Sequence, residues 1–228
     1  MKERPILFSG PMVRALLAGI KTQTRRVVKP QPTRFTGGSG EQMPDGSPAS
    51  GTPIDDSAGP PGRVIACPYG VPGDRLRVRE TFFAYGRWEA RHSETLQRAE
   101  WRFVDMTIES GRTYRYAASG NDLALSTRHD AEPGWHKRSA LFMPRLASRI
   151  LLDVVDVRIE RLNDCSERDA VAEGIGVGAE RVGHKAAADA TEAPAVAAYR
   201  GIWESINGVG SWAANPWVWV VEFRQRAP

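Results

Sequence analysis

Leu16-Leu17-Ala18-Gly19-Ile20-Lys21-Thr22-Gln23-Thr24-Arg25-Arg26-Val27-Val28 joins two different patterns in one short stretch. On its upstream side Met12, Val13, Leu16 and Leu17 recur at helical spacing behind Pro11, a residue suited to the first helical turn, and Gly19 can take the left-handed conformation that ends a helix. On its downstream side the β-branched pair Val27-Val28 favours a strand. Between them Lys21, Thr22, Gln23, Thr24, Arg25 and Arg26 crowd hydrogen-bonding groups together. Read as a regular strand, Lys21 and Thr24 point to opposite faces; read as a turn, positions i and i+3 meet. Chemistry between an ammonium and a hydroxyl requires the turn, whereas the strand reading leaves an edge whose Lys and Arg discourage pairing.

Three further blocks of regular pattern lie outward from this stretch, after a short strand at Pro5–Phe8. In the second block Val71-Pro72-Gly73-Asp74 is a turn, and Arg75 to Phe82 alternates like a strand with one wet face. The third block holds a strand from Ala147 to Ile159 and a short helix from Ser166 to Glu173, capped by Ser166 with Asp169 three residues on and closed by Gly174. The fourth pairs a helix from Ala195 to Ile206 with a closing strand from Asn215 to Arg224, in which Trp217 and Trp219 read as core and rim. Insertions separate the blocks at about 31–63, 85–137 and 176–194 of a single domain spanning 1–228. The first is rich in Gly, Pro, Ser and Asp and reads as a mobile loop, dispensable for folding. The second carries strand candidates at Trp101–Ile108 and Thr113–Ala117. Many strands with only short helices between them predict an α+β chain, a mostly antiparallel rolled sheet or barrel with peripheral helices.

Composition bounds the function. The chain has 228 residues, 41% hydrophobic and 25% charged, which fits a globular fold and excludes collagen-like, coiled-coil and disulfide-scaffold classes. No apolar run is long enough for a membrane helix and no signal peptide is legible, so a soluble, cytoplasmic protein is expected. Two cysteines, Cys67 and Cys165, without a Cys-x-x-Cys pair, and four histidines confined to the insertions without ligand spacing, give no reason to expect a metal; the histidines read as surface residues. The net charge of +4, with 26 Arg against 5 Lys, permits a nucleic-acid partner, although codon bias is the better account of an arginine excess. Signatures for phosphate loops, dinucleotide sites, zincins and nucleophile elbows are absent.

One motif remains. A helix followed by Gly-x-Lys-x-x-x-x-Arg, met by Gly19, Lys21 and Arg26, resembles the hallmark of the ASCH family. Leu16 to Thr24, Gly73-Asp74-Arg75-Leu76-Arg77-Val78, Ser166 to Gly174 and Val218 to Arg224 are similar, in that order, to blocks of the small bacterial ASCH enzymes that hydrolyse N(4)-acetylcytidine. The larger layout resembles phage-encoded ASCH proteins. The resemblance covers about half of the chain and implies a PUA-like β-barrel. It implies an amidohydrolase of N(4)-acylated cytidine or cytosine, with Thr24, Lys21 and Glu173 as the catalytic trio and no metal or organic cofactor. It also implies a modified nucleoside as partner, with RNA as a further one. Arg25 stands where those enzymes carry an apolar residue.

The trio is chemically coherent. A threonine hydroxyl becomes a nucleophile when a base takes its proton, and a lysine is such a base once burial or a neighbouring cation lowers its pKa. Arg25 and Arg26 are candidates for that neighbour and for substrate contact. Glu173 can relay a proton to the leaving exocyclic amine; as a residue pattern alone it is equally an exposed helix-end carboxylate. Glu80 shares a strand face with Leu76 and Val78 and is expected to point inward, to Arg26, to Lys21, to a cytosine amino group, or into a salt bridge that only locks the fold. A non-catalytic module binding RNA or a modified nucleotide through the same pocket, and a ribonuclease, are the competing readings.

Overall fold

The computed structural model of the protein describes residues 1–36, 52–57, 59, 62–95, 97–120, 122–130, 132–176 and 193–226. In chain order they form β1 (Glu3–Leu7), α1 (Gly10–Leu17), β2 (Gln23–Val27), β3 (Arg34–Thr36), β4 (Thr52–Asp55), β5 (Arg63–Val64), β6 (Arg75–Arg79), β7 (Phe82–Ser93), β8 (Arg98–Asp105), β9 (Arg115–Tyr116), β10 (Gly134–Arg138), β11 (Leu151–Arg161), α2 (Glu167–Ala172), α3 (Pro194–Asn207) and β12 (Trp217–Gln225). The class is α+β, mostly strand. No helix among the described residues is long and apolar enough to cross a membrane. The chain divides into two compact units, one made of Met1–Arg4, Ala15–Arg77 and Leu151–Pro228, the other of Pro5–Arg14 and Val78–Ile150.

A five-stranded sheet has the order β1-β6-β11-β12-β2. β11 runs antiparallel to β6 and to β12, and β12 antiparallel to β2. The outer strands are β1 and β2, and no pairing among the described residues joins them, so the sheet is open where a barrel was expected. The unbroken apolar run of β12, buried on both faces from Trp217 to Val221, explains its place inside the sheet: Val218 and Val220 face a cluster built from Leu162, Tyr199, Trp203 and Trp212, through which α2 and α3 cover that side of the first unit. Trp217 and Trp219 are both buried. α2 starts on a complete capping box, in which Ser166 Oγ accepts from the Asp169 amide and the Asp169 carboxylate accepts from the Ser166 amide. The shorter aspartate thus fills the place where Glu or Gln is usual.

The stretch read as a mobile loop is in part ordered and packed. β3, β4 and β5 form a small antiparallel sheet. Ile54 is buried in it, and the Phe35 ring lies 4.7 Å from that of Trp217. Gln31 donates from Nε2 to the carbonyls of Val28 (2.7 Å) and Trp217 (3.1 Å), and its Oε1 accepts from the Trp217 amide (2.8 Å). The composition argument overlooked these few anchors, Gln31, Phe35 and Ile54; residues 37–51 of that stretch, and 177–192 of the third insertion, lie outside the described residues.

In the second unit β7 pairs with β10 on one side and β8 on the other, and β9 pairs with its first residues. β7 runs for twelve residues, straight into the stretch read as an insertion. Phe82, Ala84, Met143 and Ala147 make its core, with Phe103, Tyr114 and Tyr116 against them. His136 is buried, contrary to the surface reading of the histidines, with its ring 5.2 Å from Phe103 and 6.4 Å from Trp88.

Gly174 follows α2 at φ +99°, where a Cβ would lie 2.9 Å from Ala15 Cβ and 3.3 Å from Lys21 Cβ. Both the left-handed backbone and the close approach require glycine. Gly174→Ala is expected to cost about 1–3 kcal/mol, read as a lower urea midpoint at unchanged slope.

Candidate functional site

β2 is the last strand of its sheet, and its backbone directions decide what its outer edge meets. The Phe223 amide donates to the Thr22 carbonyl (2.9 Å), while the Thr22 amide donates to the Ala172 carbonyl (2.8 Å); from that register Thr24 and Arg26 turn their peptide groups toward β12 and the Gln23 carbonyl turns outward. Lys21 fills that edge. Its Nζ donates to the Gln23 carbonyl (2.8 Å), the Glu173 carbonyl (2.7 Å) and Glu173 Oε2 (2.9 Å). Both side chains are withdrawn from solvent, 0% exposed for Lys21 and 3% for Glu173. The capping of α2 by Ser166 and its closure at Gly174 deliver Glu173 to this point, 152 residues from its partner.

Side chains of β2 alternate. Gln23 and Arg25 face α2: Gln23 Nε2 donates to the backbone and side-chain oxygens of Asp169 (3.2 and 3.1 Å), and Arg25, fully buried, reaches Glu160 (3.0 Å), Asp169 (3.3 Å) and Glu173 Oε1 (3.6 Å). Thr24 and Arg26 belong to the opposite face, across from Val221 and Trp219 of β12. Thr24 is buried. The segment from Gln23 on is thus strand, not the turn that ammonium–hydroxyl chemistry was expected to need, and the Lys21 ammonium is bonded to the carbonyl that is joined to the Thr24 amide nitrogen.

Burial pushes the Lys21 ammonium below the ordinary lysine pKa; the Glu173 carboxylate pulls it back, and the charges of Arg26 and Arg25 push the same way as burial. Burial also disfavours the charge on Asp169, but the Ser166 hydrogen bonds, Arg25 and Gln23 outweigh it and hold that carboxyl below its usual value. Cys165, beside Arg25 and Glu173, is driven up to about 12 by burial, so it is an inert thiol rather than a nucleophile. The Tyr199 hydroxyl is raised by burial and then by the Glu173 charge. Two groups in this shell lack a hydrogen bond: Glu173 Oε1 and Arg25 Nη1 are buried, ion-paired to each other at 3.6 Å, and have no hydrogen-bond partner among the described residues.

Of the residues singled out in the sequence, Lys21, Arg25 and Glu173 meet directly, whereas Thr24 and Arg26 belong to the other face of β2. Glu80 points inward but its carboxylate is taken by Arg149, with Nε to Oε1 at 2.9 Å and Nη2 to Oε2 at 3.1 Å, instead of by Arg26 or Lys21. Arg149, 69 residues away, also stacks 3.9 Å from the Tyr116 ring centroid, and this bidentate pair locks the second unit. Asp169, read only as a cap, and Glu160 were missed as partners of Arg25; the polar positions on the β11 alternation were the available signal. Arg158 extends the network, bonding Glu160 and Glu222 on the same face.

Comparison of the chain with known protein families, with characterised proteins and with solved structures finds no match.

Removing one member of a buried ion pair strands the other. Glu173→Ala is expected to cost about 3–5 kcal/mol in chemical denaturation, because Lys21 and Arg25 both lose a carboxylate. The double variant Lys21→Met/Glu173→Leu should recover most of that loss.

Proposed function

We propose that the protein is an ASCH-type, PUA-like amidohydrolase that cleaves the acyl amide of N(4)-acylated cytidine or cytosine derivatives. The observation that carries the reading is the buried Lys21–Glu173 pair at the edge of β2, bonded to the peptide that leads into Thr24. Beside it Glu173 Oε1 and Arg25 Nη1, ion-paired but without a hydrogen bond, would offer an acceptor and a donor to the amino and ring-nitrogen edge of a cytosine that came between them. In this reading the Lys21 ammonium, its pKa lowered by burial, gives up one proton to Glu173 and becomes a neutral amine. The Thr24 hydroxyl must reach that amine around the edge of β2; Lys21 then takes the hydroxyl proton as the oxygen attacks the acyl carbon. The C–N bond then breaks, and Glu173 gives its proton to the exocyclic nitrogen, releasing cytidine. Water adds to the Thr24 ester with the Glu173 carboxylate taking its proton, and as the acid departs the Lys21 ammonium returns a proton to the Thr24 oxygen. The family's barrel corresponds in this view to the open five-stranded sheet, and a soluble, cytoplasmic setting goes with such a substrate.

A second reading has an observation of its own. Three oxygens saturate the Lys21 ammonium, which favours a permanently charged lysine and hence a module that binds RNA or a modified nucleotide without turning it over. Incubation with N(4)-acetylcytidine and N(4)-benzoylcytidine separates the two. The amidohydrolase releases cytidine, with a rate that rises with pH through a Lys21 pKa below the ordinary lysine value. Thr24→Ala and Lys21→Arg should each lower turnover by about 10²–10⁴-fold, since guanidinium keeps its proton. Absence of cytidine release by the wild type, or full turnover by Thr24→Ala, overturns the catalytic reading.

A further inference from the structure

The two units differ in charge. Unit two holds 13 Arg and Lys against 9 Asp and Glu, whereas unit one holds 18 of each, so the whole net charge of +4 belongs to unit two. The register of β7 with its neighbours shows where part of that excess is displayed. Trp88 is paired with Phe103, Ala90 with Trp101, and Phe82 with Arg138, which puts Trp88, Phe103, Trp101 and Arg138 on one face of the sheet. The Arg138 guanidinium lies 4.7 Å from the Trp88 ring centroid, 4.3 Å from Phe103 and 5.2 Å from Phe142. Arg128 lies over the same Trp88 ring at 4.8 Å.

Two guanidinium groups therefore share one indole, and among the described residues neither is ion-paired to a carboxylate. Burial lowers the Arg138 pKa, Asp105 raises it and the neighbouring Arg128 lowers it again, consistent with two cations held close together. The arrangement contrasts with unit one, whose buried Arg25 meets three carboxylates. Exposed rings flank the pair: Trp101 is 42% exposed and Phe142 65%. Two like charges with only the Asp105 carboxylate acting on them, and that without an ion pair, suit an anion, and the exposed rings beside them suit planar groups attached to it. A phosphodiester strand with unstacked bases supplies both at the spacing of successive nucleotides.

We infer that this face of the β10-β7-β8 sheet binds single-stranded nucleic acid, with Arg128 and Arg138 on phosphates and Trp101 and Phe142 stacked on bases. This surface shares no residue with the Lys21–Glu173 site and acts whether or not that site hydrolyses anything. On this basis the unit holds a polymer by its backbone and reads little of its sequence, because every base offers a stacking face.

Fluorescence anisotropy with a labelled, unmodified twelve-nucleotide oligouridylate tests this on the full chain. Binding is expected to weaken with added salt, with a slope of log K against log salt near −0.7 per phosphate neutralised. Arg128→Gln and Trp101→Ala change exposed side chains and leave the core intact. Arg128→Gln should reduce that slope by about 1, and Trp101→Ala should weaken binding by about 5–150-fold with the slope unchanged. Arg224→Gln removes one exposed charge from unit one and should change little. Inorganic polyphosphate should compete poorly, and a duplex of the same length should bind more weakly. Equal losses for Arg224→Gln and Arg128→Gln, an unaffected Trp101→Ala, or polyphosphate competing as well as oligouridylate would each overturn the assignment.

Discussion

An ammonium group taken out of water costs several kcal/mol unless oxygen atoms replace its hydration shell. In this protein Lys21 is such a group, and the architecture around it is arranged to supply the oxygens: one from the strand edge, one from the end of α2, one from the Glu173 carboxylate. Each supplier depends on a different local feature. The strand edge is free because β2 ends the sheet, the carbonyl is free because α2 stops at Glu173, and the stop is enforced by a glycine that no side chain can replace. Edge strand, helix end and left-handed turn are thus consequences of keeping a single charge satisfied.

The same economy governs the residues next to it. Arg25 is buried and meets Glu160, Asp169 and Glu173, drawn from β11, α2 and the α2 terminus. The sheet face that in most proteins would be purely apolar is here partitioned, with Val27, Val218 and Val220 on the α3 side and a charged mesh on the α2 side. A buried mesh of this kind is sensitive to the loss of any one member and tolerant of removal as a whole. That sensitivity is what couples the site's chemistry to the stability of the unit.

Sequence patterns revealed what depends on short-range order. The Ser166 cap, Gly174, the β12 run from Trp217 and the β11 alternation are all set within a few residues, and each element lies within a few residues of its expected bounds. Longer-range facts were hidden. Glu80 was correctly read as inward, but nothing in its neighbourhood names Arg149 as the partner. β7 continues through Arg87, Glu89, Arg91 and His92, whose polarity disguises a strand that has only one packed end. Arg25, which looks like a surface charge, is buried because three carboxylates from distant segments converge on it. β3 and β4 escaped because strand pairing there is carried by few side chains in a stretch rich in turn residues.

The Gln31 carboxamide bonds both the amide and the carbonyl of Trp217, as a peptide group in a neighbouring strand would. It prolongs the β2–β12 ladder beyond the last true strand residue and fixes where the count of paired residues begins. Because side chains alternate with a period of two, a slip of one residue between these strands would exchange every inward and outward position. Arg25 would leave its carboxylates and Thr24 would take its place against α2. A single amide, distant from any chemistry, therefore sets which of two adjacent side chains stands on which side of the sheet.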